Sequence, residues 1–299
     1  MKLGLSRACL YSCCCTLIFS SSMPSLTTIK PKNPLVLRPP NYLVTSSDLK
    51  KWYGWAKNLA SSVGSSFELS WLLEDSLENS SYSSSSSCFG KNENVIIWIS
   101  LDDLYQLWKQ RIEERRPFQC IVGCEHWRDS VLSVQEGVLI PRSETELIVD
   151  LASDVVSNNE KLGQGLLADV GTGSDAIAIG IRKLLGNQSQ FQWQPLMFKG
   201  MGLQDVIEVR QESWFEPLKD VEGQIVGIVS NPPYIPSDNI SGLQAEDGRH
   251  EPRLALDGGA SGMDYLLHLY NMAAAIGEKQ CEFLVDCMQN DILQEAFVI

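Results

Sequence analysis

Apolar and polar positions change period twice along the chain, and each change marks an organisational boundary. From Ser46 to about Leu77, "SSDLKKWYGWAKNLASSV" and "SFELSWLLEDSL" repeat apolar residues every three or four positions, which predicts helices with Ser47 as first N-cap. The Ser-rich "NSSYSSSSSCFG" interrupts them as a flexible connector. "SLDDLYQLWKQRIEERR" resumes the helical period, acidic at its start and basic at its end as the macrodipole favours, until Pro117 closes it. The β-branched clusters and glycine turns of "PFQCIVGCEHWRDSVLSVQEGVLIPR" predict a hairpin, and "SETELIVDLASDVV" an amphipathic helix with Ser143 and Glu146 in capping-box spacing.

Beyond Ser157 the pattern alternates. "GLLADV", "DVIEVR", "QIVGIVS" and "CEFLVD" read as short apolar strands, while "DAIAIGIRKLL" and "MDYLLHLYNMAAAI" read as helices. Strand–helix alternation predicts an α/β fold with a mostly parallel sheet. The expected organisation is a leader over residues 1–47, a helical N-terminal domain over 48–117, a hairpin linker over 118–142 and an α/β domain over 143–299.

Composition narrows the function classes. A chain of 299 residues, 44% hydrophobic and 20% charged, has room for a sizeable core. A net charge of −13 speaks against sequence-independent binding to nucleic acid, which requires a basic face. The nine cysteines form no framework: Cys13, Cys14 and Cys15 are consecutive, and Cys120 and Cys124 lack a second ligand pair, so no metal site is expected. The first 47 residues contain no Asp or Glu but carry Lys2, Arg7, Lys30, Lys32 and Arg38, the character of an organellar transit peptide. A secretory signal built on "ACLYSCCCTLIF" is the competing reading; that apolar run is too short to span a bilayer.

Two loops carry candidate chemistry. Asp169-Val170-Gly171-Thr172-Gly173 stands where a strand turns into a helix, and glycines there allow a ligand close to backbone and to unpaired helix N–H groups. Asn231-Pro232-Pro233-Tyr234 follows another strand. Its prolines have no N–H, so the loop presents acceptors without competing donors. The Asn231 side-chain oxygen and the Pro232 carbonyl suit the two hydrogens of an amide or amino nitrogen. Tyr234 offers an aromatic wall to a cationic sulfonium methyl.

With "FQCIVGCEHWRDSVLSVQEGVLIPRSETE", "ADVGTGS", "VSNPPYIPSDNI" and "HEPRLALDGGASGMDYL", the chain resembles the release-factor glutamine N5-methyltransferases, the HemK family, in a plant-like organellar form. The flanks "LIPRSETE" and "EPRLALDGG" separate it from DNA adenine methyltransferases that share the Asn-Pro-Pro-Tyr loop. The resemblance implies a class I methyltransferase sheet, S-adenosyl-L-methionine as cofactor, and as partner a peptide chain release factor methylated on its Gly-Gly-Gln loop, in the chloroplast or alternatively the mitochondrion. It implies cofactor contacts for Gly171, Thr172, Gly173, Ser174, Asp175, Trp214 and Asn231, with Asp169 a candidate for the cofactor's amino group. Asn231, Pro232, Pro233 and Tyr234 would contact the substrate glutamine, with Asn231, Pro232 and Tyr234 at the reacting nitrogen.

The chain departs from the family pattern in three places. Asp175 replaces a small residue, usually glycine. "NQSQFQWQPLMFKGMGLQD" offers no strand ending in a ribose-binding acid, and "AAAIGEKQCEFLVD" omits the family's Lys-Pro-Gly-Gly-type turn and the core strand it leads into, with the chain ending before a final hairpin. Loss of central strands would leave their neighbours with unpaired edges. A catalytically impaired splice-type isoform or binding relic, or a DNA adenine N6-methyltransferase, are the alternative readings.

Overall fold

The computed structural model describes residues 34–35, 38, 41–61, 66–77, 94–158, 166–185 and 216–276, and the strand backbones 282–285, 288–289 and 292–293. The predicted strand "DVIEVR", most of the predicted leader, the Ser-rich connector and Trp214 lie outside the described residues.

Strand β1 (Tyr42–Thr45) pairs antiparallel with β2 (Asn94–Ile97). Tyr42–Thr45, which sequence assigns to the leader, is therefore part of the folded helical region, and Leu35 is buried in the same core. Helix α1 (Ser46–Ala60) is capped by Thr45 rather than Ser47: the Thr45 hydroxyl accepts from the Asp48 N–H at 3.1 Å. Helices α2 (Ser66–Ser76) and α3 (Leu101–Glu113) complete the layer, with the Ser100 hydroxyl capping α3. Leu49, Trp52, Leu72, Leu104 and Trp108 form its centre, and the Trp108 indole donates to Ala56 O at 2.9 Å, satisfying a buried polar group.

The predicted hairpin is shorter than its apolar run. Pro117 opens a one-turn helix, α4 (Phe118–Val122), which Gly123 ends at φ +80° before β3 (Cys124–Trp127) pairs antiparallel with β4 (Ser130–Ser133). Local β-branching loses here to burial of Phe118, Ile121 and Val122 in the helical core. The Ser143–Glu146 capping box does not form: Ser143–Thr145 is a 3₁₀ turn, and the Glu146 carboxylate accepts instead from the Arg128 N–H at the hairpin tip.

Helix α5 (Glu146–Ser157) packs on α6 (Ala176–Leu185). Beside them runs a parallel sheet in the order β5 (Leu166–Val170), β6 (Ile225–Ser230), β7 (Glu282–Val285). This mixed, parallel arrangement is the expected α/β class. Glu282–Val285 takes the place beside β6, so that edge of β6 is paired. Helices α7 (Ala245–His250), α8 (Arg253–Leu256) and α9 (Asp264–Ile276) follow β6, and β8 (Met288–Gln289) and β9 (Ile292–Leu293) make a short antiparallel pair. Among the described residues no helix is long and apolar enough to cross a membrane.

Candidate active site

Strands β5 and β6 are neighbours and parallel, so the two candidate loops leave the same sheet edge. Val170 and Ser230 are register partners, and the Ser230 hydroxyl donates to Val170 O at 2.6 Å, joining the strand ends just before the loops diverge. In open parallel sheets this is where ligands bind.

The glycine turn has the features of a close-approach site. Gly171 lies at φ +78°, where side chains are disfavoured, and the space above its α-carbon is empty to 4 Å. Gly173 also has positive φ, and Asp175, at φ +61°, occupies a left-handed conformation that glycine adopts without strain. The Asp175 N–H donates to Thr172 O, and the first turn of α6 begins at Ala176 with its N–H groups directed toward the turn. Burial raises the Asp175 carboxyl, partly offset by the Thr172 hydroxyl.

Beneath the turn, Asp169 is enclosed. Neither carboxylate oxygen makes a hydrogen bond of ordinary geometry, and burial, with Asp175 adding repulsion, pushes its pKa up to about 8; the nearby Ala178 N–H only partly offsets this. A carboxylate buried with so little hydrogen bonding suits a cationic partner.

The Asn231-Pro232-Pro233-Tyr234 loop is built on a second scaffold. Ile235 bridges Asp257, its N–H donating to Leu256 O at 3.1 Å and its carbonyl accepting from the Gly258 N–H at 2.7 Å. Asp257 then accepts from the Ser237 hydroxyl and the Gly259 N–H, while Arg253 pairs with it across one helical turn. These contacts, the Ser237 hydroxyl first, hold its carboxyl below the usual range. "EPRLALDGG" is thus a cradle for the loop.

A cavity of about 140 Å³ opens beside Asn231, lined by Asn231, Pro232, Tyr234, Arg142, Asp247 and Leu243 among others. Gly171–Gly173 are not among its lining residues, so the cavity lies on the Asn231 side of the sheet edge and is not shared with the glycine turn. The Arg142 guanidinium pairs with Glu251 and, at 3.2 Å, with Asp247; the Glu251 carboxylate, almost wholly buried, also accepts from the Ile140 N–H. "LIPRSETE" and "HEPRLALDGG", separated by over a hundred residues, therefore meet at this cavity. Sequence alone does not reveal this pairing, because it depends on tertiary contact.

The sequence-predicted residues thus fall into two groups. Asp169, Gly171, Thr172, Gly173, Ser174 and Asp175 cluster at the end of β5, and Asn231, Pro232, Pro233 and Tyr234 at the end of β6.

No family model matches the chain. Whole-sequence comparison finds a release factor glutamine methyltransferase from Synechocystis 34% identical over 236 residues, spanning 74% of this chain and 77% of the relative. The chain belongs to the release factor glutamine methyltransferase family. A second member, from Thermosynechococcus vestitus, is 35% identical over 199 residues, covering 64% of this chain and 68% of the relative. A third, from Gloeobacter violaceus, is 36% identical over 182 residues, covering 58% and 62%. Family membership makes the chain a protein-glutamine N5-methyltransferase homologue and supports the α/β assignment.

The residues at the end of β5 fit the sulfonium cofactor on three counts: an orphaned buried carboxylate for its ammonium, open backbone at Gly171, and the N-terminus of α6 for its carboxylate. Asp175 is the one residue of opposite tendency, its carboxyl lying beside that anion-binding end.

Proposed function

We propose that this chain methylates the side-chain amide nitrogen of the glutamine in the Gly-Gly-Gln loop of an organellar peptide chain release factor. The observation that carries the reading is the position of Asn231: it follows β6 directly, one hydrogen-bonded strand from the glycine turn, and forms a wall of the adjoining cavity.

S-adenosyl-L-methionine supplies an electrophilic methyl group, and the residues at the end of β5 hold it. Asp169 would hold its ammonium, and the Gly171–Gly173 backbone with the first turn of α6 its carboxylate. The acceptor glutamine enters the cavity. Asn231 Oδ1 and the Pro232 carbonyl would accept its two N–H hydrogens and so fix the orientation of the nitrogen. The bound cofactor would supply its methyl to the amide nitrogen, which would give up one N–H proton to solvent. Catalysis is alignment with acceptors matched to the charge that develops on N–H; no covalent enzyme intermediate forms. Tyr234 supplies an aromatic face beside the cationic methyl.

The helical region over 48–117 is assigned to recognition of the release factor body. The acid-free composition of residues 1–47 supports import into an organelle, with the chloroplast the first assignment and the mitochondrion the second. In the decisive assay, purified chain is incubated with a release factor and cofactor labelled in the methyl group. Label appears on the Gly-Gly-Gln glutamine, and Asn231→Ala lowers incorporation by about 100-fold or more, the loss expected of a missing transition-state hydrogen-bond partner. A folded wild-type sample that leaves the factor unlabelled overturns the reading.

A further inference from the structure

A carboxamide has two faces of opposite character. Turned one way, Asn231 offers Oδ1 to an incoming amide nitrogen; turned by half a revolution, it offers N–H groups to N–H groups, and no bond forms. Which face it offers depends on what the two ends of the carboxamide contact.

In the structure Asn231 Nδ2 donates to Thr145 Oγ1 at 3.0 Å. That places the donor face of the carboxamide on Thr145 and leaves Oδ1 as the face without this contact. Thr145 is itself immobilised. It is only 5% exposed and ends the 3₁₀ turn that precedes α5. Its N–H donates to Arg142 O at 3.2 Å, and that carbonyl also accepts from the buried Trp127 indole at 2.9 Å. The side chain of the same Arg142 is held by Glu251 and Asp247. The turn is therefore fixed from the hairpin on one side and from α7 on the other, and its hydroxyl is presented to Asn231 in a set position. No local capping explains the threonine, because its side chain makes no cap contact with α5.

We propose that Thr145 is a positioning residue that anchors the Asn231 carboxamide through its N–H, so that Oδ1 is left for the acceptor nitrogen. This rests on the methyl-transfer function proposed above and deepens it. It also gives "LIPRSETE" a role: the segment delivers a hydroxyl from the start of α5 to the end of β6, across 86 residues of sequence.

The test compares Thr145→Val, which keeps shape and removes the hydroxyl, with Thr145→Ser, which restores it. Loss of one polar contact at the reacting nitrogen, about 1–3 kcal/mol, corresponds to a fall of roughly 10- to 100-fold in kcat. Thr145→Val is expected to show that fall, with cofactor affinity and KM for the release factor within twofold of wild type. Thr145→Ser is expected to recover to within about threefold. A second readout needs no turnover: in protein labelled with 15N-asparagine, the Asn231 side-chain resonances, assigned by their loss in Asn231→Asp, become exposed to water exchange in Thr145→Val and regain protection in Thr145→Ser. If Thr145→Val does not fold, Thr145→Ala takes its place. Unchanged kcat, a loss of thermal stability alone, no rescue by serine, or unmoved resonances each overturn the proposal. Should the wild type fail to methylate a release factor, the function falls, while the resonance measurement still decides the role of Thr145.

Discussion

Asp169 concentrates the electrostatics of the site in one carboxyl. Because burial raises its pKa from the ordinary 3.8 to about 8, the folded state keeps a proton that the unfolded chain releases near pH 4. Stability contributed by this group is fully present below pH 4 and declines as pH rises toward 8, where the folded form is also ionised. Asp169→Asn removes the penalty, so the variant is expected to melt above wild type at pH 8, with the gap closing toward pH 4. Thermal melts across that range check the direction, and a wild type that gains stability relative to Asp169→Asn on going from pH 4 to 8 contradicts it. The same carboxyl links to ligand: a cation bound beside it favours the ionised form, so wild type releases a proton on binding cofactor near neutral pH and Asp169→Asn does not. Titration calorimetry in buffers of different ionisation heat measures that proton. The aspartate was readable as a candidate from the strand–turn pattern, but its lack of partners was not, because burial of a carboxylate is a property of what surrounds it.

At the scale of elements, the acceptor loop depends on the glycine loop behind it. A β-carbon at Gly258 would lie 2.7 Å from the Tyr234 α-carbon and 2.8 Å from Gly262 O, and both are backbone atoms that no rotamer change can move aside. Gly258→Ala is expected to displace Tyr234, destabilise the fold by about 1–3 kcal/mol and abolish acceptor turnover, while cofactor affinity stays near wild type. Equal losses in cofactor affinity and turnover would show that the loop and the glycine turn are not separable. Much of this level was legible in the chain. Apolar runs identified β5, β6 and β7, and the helical period identified α1, α3, α6 and α9. What escaped was set by non-local contacts. Phe118–Val122 reads as strand from its residue types yet coils to bury its apolar face in the helical core. Ser143 and Glu146 have capping-box spacing, yet Glu146 is drawn to the Arg128 N–H. Tyr42–Thr45 reads as leader because its partner strand is some fifty residues away.

Across the molecule, one carboxylate links the helical region to the element that lines the candidate acceptor cavity. Glu246, at the start of α7, accepts from Arg115 through Nε and Nη2 at 2.7 and 2.8 Å, and from Arg111 Nη1 at 2.9 Å. Arg111 is buried and grips Glu68 on α2 with its other edge at 2.7 and 2.8 Å, while His250 donates from Nε2 to Glu114 O at the far end of α7. The paired arrangement is bidentate on both sides, the geometry in which guanidinium–carboxylate contacts are strongest. The next residue along, Asp247, holds Arg142 and lines the cavity, so α7 is fixed to the helical region on one face and shapes the acceptor site with the other. Arginine hydrogen bonding, foremost from Arg115, holds the Glu246 carboxyl down at about 2, against an ordinary 4.5. A depressed acid contributes stability above its unfolded value and loses it as pH falls, here between about 4.5 and 2. Glu246→Gln is expected to cost about 1–3 kcal/mol at pH 7, the scale of a lost charged hydrogen bond, and the difference from wild type is expected to shrink as pH drops through that window. Arg111 keeps Glu68 in the variant, which is why the cost stays below that of an abandoned buried charge. Because α7 carries a cavity wall, KM for the release factor is expected to rise while cofactor affinity is unchanged. Denaturant titrations at pH 7 and pH 3, set beside kinetics for both substrates, measure all three effects; a stability difference that persists undiminished at the lower pH would show that the pairing with Arg111 and Arg115 is not its source.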